Sequence, residues 1–166
     1  MPTASRIEEV RDELTELARG VPSAPELMQA MAKLLHERML KYNWVGFYML
    51  EAGAEPPMLV LGAFEGAMTP HTRIPLNQGI CGAAASSGQT VVVDDVSKDP
   101  RYLACSLETK SEIVVPVFVH DKVVGELDID SHFAAAFTSE HQKLVQHCAQ
   151  LVGKKLETAG HSSSKA

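Results

Sequence analysis

The sequence predicts an α+β domain: one mostly antiparallel central sheet flanked by N- and C-terminal helices. Three observations lead there. Apolar residues recur at helical spacing at both ends of the chain, as Ile7, Val10, Leu14 and Leu17 near the start and Leu144, Val145, Cys148, Leu151 and Val152 near the end. Between them the period falls to two, most clearly in Gly125-Glu126-Leu127-Asp128-Ile129-Asp130. Two pairs of strand-like runs are separated by turn-like connections, which reads as hairpins. Over 166 residues this makes one domain of ordinary size. Its expected extent is residues 1–158, with helices in 5–41, sheet and pocket in 43–131 and a last helix over 139–158. Residues 159–166 are expected to form a disordered tail.

Ser5-Arg6-Ile7-Glu8 reads as a capping box with Ser5 as N-cap, and Gly20 closes the first helix. The second helix starts near Pro25. Its broad apolar face, Leu27, Met28, Met31, Leu34, Leu35 and Met39, suits a core or a dimer contact. Trp44–Leu50 and Met58–Phe64 then pair as a hairpin around Gly53 and two prolines. Residues 66–79 form a long excursion around one short strand, Thr72–Ile74, and connections of this length in a compact domain are often functional. Ile80–Ser87 reads as a helix of small residues, Thr90–Val93 as a strand, and 94–107 as irregular. The last hairpin is Glu112–Val119 and Val123–Ile129 around a His120-Asp121-Lys122 turn, and the terminal helix begins at a Ser139-Glu140-His141-Gln142 cap.

Composition excludes several classes. A formal charge of −6 with scattered Lys and Arg disfavours nucleic acid, whose phosphates need clustered cations. No run approaches the ~18–20 apolar residues of a membrane span, and the polar N-terminus shows no secretory signal, so a cytoplasmic location is expected. Cys81, Cys105 and Cys148 are then free thiols by default. There is no C-x-x-C pair, and none of the seven histidines falls in an H-E-x-x-H spacing, so no metal site is expected.

The chemistry-bearing stretch runs from Cys81 to Asp130. Strand alternation puts Gly125, Leu127 and Ile129 on one face and Glu126, Asp128 and Asp130 on the other. A three-residue turn pairs Val119 with Val123 and sets Glu112 opposite Asp130, whereas a two-residue turn breaks that parity. On composition alone the default reading of this acidic row is the solvated side of an edge hairpin. Against it, like charges directly opposite each other are destabilising, unless a cationic ligand or a protonated carboxyl relieves them. Cys81, followed by Gly82 and three alanines, reads by itself as a small core residue, and Cys148 sits on an apolar helix face. Cys105 differs, lying in a polar irregular segment where Arg101 and Lys110 favour a thiolate while the carboxylates oppose it.

The runs NWVGFYML, TRIPLNQGICG, ACSLETKSEIVVPVF and GELDIDS, in this order from Asn43 to Ser131, resemble the GAF-domain free methionine-(R)-sulfoxide reductases. On that resemblance Cys105 matches the catalytic cysteine and Cys81 a second family cysteine. Glu112, Asp128 and Asp130 match the acids of the substrate pocket, and Trp44 and Tyr48 its aromatic wall. A third family cysteine, commonly the resolving thiol, falls at His71 here. Ser106 stands where the family commonly has Asp, and Glu108-Thr109-Lys110 also departs.

The resemblance implies reduction of free methionine sulfoxide at Cys105, a sulfenic acid there, and a Cys81–Cys105 disulfide. An external thiol reductant such as thioredoxin would reopen it, with no bound cofactor. A homodimer is expected on the same grounds. The competing class is a non-catalytic GAF module that binds a small molecule for signalling, and a structural or interaction protein is the third option.

Overall fold

Helix α1 (Pro2–Gly20) opens the chain, and the helix α2 (Ala24–Arg38) follows after a short break. The structure, a computed structural model, describes residues 2–51, 53, 55, 57–76, 78–102 and 108–159, with side chains from residue 6 onward. The expected tail falls outside them from residue 160. Because α1 begins at Pro2, the backbone of Ser5 is already helical, and an N-cap must stand in extended geometry. Ser5 is therefore not the cap. A side-chain cap is found one helix later: Ser23 has extended backbone, accepts from the Glu26 amide at 3.3 Å and donates to Glu26 Oε1 at 2.8 Å.

Six strands follow: β1 (Trp44–Glu51), β2 (Met58–Glu65), β3 (Arg73–Pro75), β4 (Val91–Val93), β5 (Ser111–Val119) and β6 (Lys122–Ser131). They form one antiparallel sheet in the order β3-β2-β1-β6-β5-β4. The short helix α3 (Gly79–Ser87) lies between β3 and β4, and α4 (Ser139–Thr158) ends the fold. Ser139 is the first residue of α4 rather than its cap. Thr138 holds the cap position without a side-chain bond.

Alternation along the central strands gives the sheet two apolar faces. Val45, Phe47, Ile113, Val115, Leu127 and Ile129 meet α1, α2 and α4 in the larger core, which also absorbs Met28, Met31 and Cys148. The apolar stripes of both N-terminal helices are thus used within the chain. On the other face Trp44, Tyr48, Val93 and Val114 pack with Ile74, Ile80, Cys81 and Ala84 beneath α3. No helix among the described residues is long and apolar enough to cross a membrane.

The β5–β6 hairpin departs from its expected turn. Val119 pairs with Lys122 around a two-residue turn, His120-Asp121, whose φ of 50° and 67° suit the right-handed strand twist. That turn alone would flip one strand's side chains. A bulge restores them: Phe118 pairs with Val123 but Val117 with Gly125, leaving Val124 as the extra residue. Glu112 consequently faces Asp130, as a three-residue turn would have given.

Candidate active site

β6 is a central strand, so its polar face is not at an edge. Glu126, Asp128 and Asp130 stand opposite Tyr48, Gly46 and Trp44 of β1 and opposite Pro116, Val114 and Glu112 of β5. All four carboxyl groups are buried. The reading of a solvated edge hairpin fails here, because α3 and the loops around it cover this face.

Gly46 shapes the aromatic wall. A Cβ there would overlap the Trp44 ring, so glycine lets the indole fold back across the strand. The indole stacks on Phe64 at 5.7 Å, lies 6.2 Å from the Tyr48 ring and donates from Nε1 to the Ala67 carbonyl at 2.9 Å. Tyr48 donates its hydroxyl to the His71 carbonyl at 2.6 Å, and the His71 amide donates to Thr69 Oγ1 at 3.1 Å. Two aromatic residues of β1 therefore pin the long 66–79 excursion over the acidic face.

The helix α3 delivers Cys81. Gly79 takes φ 72° as the chain turns into the helix, and Gly82 packs so close to the Leu76 carbonyl that a side chain would not fit. Cys81 then sits buried with Sγ 3.4 Å from Asp128 Oδ2, donating to it. Donor atoms of Cys81, Glu112 and Asp128 lie within 4.8 Å of one another, close enough to surround one small cation such as an ammonium group. A small cavity opens onto them, lined also by Tyr48, His71, Ile74, Gly79 and Ile80.

Burial decides the charge of this cluster. An isolated buried carboxylate costs several kcal/mol, so such groups take up protons instead. Burial pushes Glu112 well above the ordinary carboxylate range, and the charges of Asp128 and Asp130 add to it. Asp130 is raised by burial and then by Asp128. Asp128 is also raised by burial, but Glu112, Cys81 and Asp130 offset this by hydrogen bonding to it. Cys81 is pushed well up by burial and by the charges of Asp128, Glu126 and Glu112, so it rests as a neutral thiol.

Of the residues singled out in the sequence, Tyr48, Cys81, Glu112 and Asp128 line the cavity. Asp130 is beside Glu112 and Asp128, and Trp44 stands one layer back, against Tyr48. Cys105 lies outside the described residues. Glu126 belongs to the cluster but was not among the expected pocket acids. It is fully buried, and neither carboxylate oxygen finds a hydrogen-bond partner among the described residues. The signal was present, since the alternation that sets Asp128 and Asp130 on this face sets Glu126 there too.

The GAF domain family profile matches residues 23–156. The free methionine-R-sulfoxide reductase of Escherichia coli is 34% identical over 145 residues, covering 87% of this chain and 85% of that protein. The enzyme of the same name from Saccharomyces cerevisiae is 41% identical over 113 residues, 68% of this chain and 62% of that protein. Among solved structures, a free methionine-R-sulfoxide reductase from Neisseria meningitidis in complex with its substrate superposes with a TM-score of 0.86. It is 33% identical, over 94% of this chain and 91% of that one.

Proposed function

The chain belongs to the GAF domain family, among the free methionine-R-sulfoxide reductases, and we propose that it reduces free L-methionine-(R)-sulfoxide to methionine with Cys105 as nucleophile. The observation that carries this reading is the buried group Glu112, Asp128 and Asp130 against Cys81. A cluster of acids with no cation of its own among the described residues suits a ligand that brings an ammonium group, and acids raised by burial are suited to hold and donate a proton.

In this reading the Cys105 thiolate attacks the sulfoxide sulfur while a carboxyl of the cluster protonates the oxygen. The oxygen passes to Cys105, whose sulfur is oxidised by two electrons as the substrate sulfur is reduced by two. Methionine leaves and Cys105 is a sulfenic acid. Cys81 then attacks Cys105 sulfur, an S–S bond forms, the S–O bond breaks and water departs. The remaining carboxylates hold the substrate ammonium, and Tyr48, backed by Trp44, packs its thioether end. A closed acidic site favours the free amino acid, because a peptide bond removes the ammonium charge.

A thioredoxin-like dithiol reopens the disulfide, and no bound cofactor takes part. This dependence on thiols fits a reducing compartment such as the cytoplasm. Leu40, 83% exposed, and the half-exposed Phe133 are apolar groups that a homodimer contact would cover.

The test supplies purified protein with thioredoxin, thioredoxin reductase, NADPH and free L-methionine-(R)-sulfoxide, and follows NADPH loss. Turnover that disappears in Cys105→Ser supports the proposal. Wild-type turnover no greater than that of Cys105→Ser overturns it, and leaves the non-catalytic binding module in its place.

A further inference from the structure

The carboxylates beneath α3 offer more acceptors than their surroundings satisfy. Asp128 receives the Cys81 thiol on Oδ2 at 3.4 Å. Its other oxygen, Oδ1, and Asp130 Oδ1 are buried without a hydrogen-bond partner among the described residues. Buried acceptors in this state mark a place made for a positive group. An ammonium group uses only part of what is there, because a thiol and an ammonium are both donors and Cys81 adds little to its binding. A metal ion uses the sulfur as well.

The spacing of the donors is that of a tetrahedral site. Bonds of about 2.3 Å to sulfur and about 2.0 Å to oxygen set those two atoms about 3.5 Å apart around a zinc ion. Cys81 Sγ and Asp128 Oδ2 are 3.4 Å apart, and the donor atoms of Cys81, Glu112 and Asp128 all lie within 4.8 Å of one another. The three residues come from α3, β5 and β6 and are each 5% exposed or less, so packing holds the donors together before any metal arrives. All three line one cavity, which leaves a fourth position for water. Mg²⁺ and Ca²⁺ take oxygen donors, whereas a thiolate among carboxylates suits the softer Zn²⁺. Spacing motifs such as C-x-x-C do not reveal a set whose donors meet only in the fold.

We infer that Cys81, Glu112 and Asp128 form a zinc site, completed by water, and that Zn²⁺ bound there reversibly inhibits the protein. On binding, the S–H bond of Cys81 breaks and a Zn–S bond forms. The thiol proton, with any proton on Glu112, goes to solvent, and no electrons move. The ion takes the place of the substrate ammonium and holds the Cys81 sulfur. The inhibition rests on the reductase reading, and the site itself does not.

The experiment titrates reduced, metal-free protein with Zn²⁺ against a chromophoric chelator, and with Co²⁺ for its spectrum. Wild type is compared with Cys81→Ser, Glu112→Gln and Asp128→Asn, each checked for folding by circular dichroism. Wild type should bind stoichiometric zinc and show a thiolate-to-cobalt charge-transfer band that Cys81→Ser lacks. Cys105→Ser and Cys148→Ser should keep that band, which assigns the sulfur even where Cys81→Ser fails to fold. Glu112→Gln and Asp128→Asn should each weaken zinc by more than about tenfold, the scale on which even outer-sphere partners of a metal act. No stoichiometric zinc in wild type, or a band unchanged in folded Cys81→Ser, overturns the site. Methionine release in a single turnover without added thiols then reads the inhibition. Zinc should raise the half-saturating concentration of free L-methionine-(R)-sulfoxide, and stoichiometric zinc without that effect overturns the inhibitory role. Metal-free protein that releases no methionine overturns the reductase reading, and the zinc site stands on the cobalt spectrum.

Discussion

Glu112 on β5 stands directly opposite Asp130 on β6, with both carboxyl groups buried and no intervening cation among the described residues. Direct opposition of two such groups is tolerable only when at least one is protonated or a ligand neutralises them.

Stability should therefore fall with rising pH in the substrate-free protein. Glu112 and Asp130 are held above the ordinary carboxylate range, so the folded state keeps protons that the unfolded chain has released. Their contribution is complete below the ordinary carboxylate pKa of about 4 and is lost as pH rises through the raised values. Thermal melts from about pH 5 to about pH 8 should show a decreasing Tm, at up to about 1.4 kcal/mol per pH unit per retained proton. Glu112→Gln should flatten the slope. His141 and His147, lowered by burial, act in the opposite sense, so the comparison with Glu112→Gln decides: a pH slope unchanged in the folded variant would contradict the assignment.

Tyr48→Phe deletes the hydroxyl that holds the His71 carbonyl at 2.6 Å. One buried hydrogen bond contributes about 1 kcal/mol, so a Tm drop of a few degrees is expected. The larger effect should be on KM, since the 66–79 excursion loses its anchor over the pocket. Steady-state kinetics that show a fall in kcat with KM unchanged would instead place the hydroxyl in the chemical step.

Gly46→Ala sets a methyl group into the Trp44 ring and within 3.1 Å of Phe64 Cβ. Neither strand can move apart cheaply, and overpacking of this kind costs about 1–3 kcal/mol. Trp44 is the chain's single tryptophan, so its displacement is readable as a shift in emission maximum together with a lower urea midpoint. Unaltered emission would mean that the ring accommodates the methyl group where it lies.

The thiols of Cys81 and Cys148 should resist alkylation in the native protein. Burial pushes Cys148 up to about 12, and burial with three nearby carboxylates pushes Cys81 well up. Both remain thiols at pH 8, and the thiolate is the reactive form. Iodoacetamide labelling followed by peptide mass spectrometry should find both unmodified until denaturant is added. Fast native labelling of Cys81 would show that α3 opens readily.

Much of this site could be read in the sequence because the period of a strand is two. Alternation alone put Glu126, Asp128 and Asp130 on one face, and the resemblance drew Cys81, Tyr48 and Trp44 toward them. The placement of Glu112 was reached through the wrong turn, since the length of the turn and a bulge at Val124 offset each other. Ser5 and Ser23 show the same limit for helices. Both precede a Glu by three residues, but the capping role depends on where the backbone leaves extended geometry.

The sequence by itself determined the order of elements, the antiparallel sheet and the common face of the acids, because these depend on local periodicity and turn chemistry. Only the tertiary structure decided that this face is buried and that Glu126 belongs to the cluster. Burial is set by what packs on top: α3 arrives from elsewhere in the chain, places Cys81 against Asp128 and excludes the water that would have made four carboxylates ordinary. Desolvation turns an acidic row into a proton-holding site, and it is a property of the assembled layers rather than of any strand.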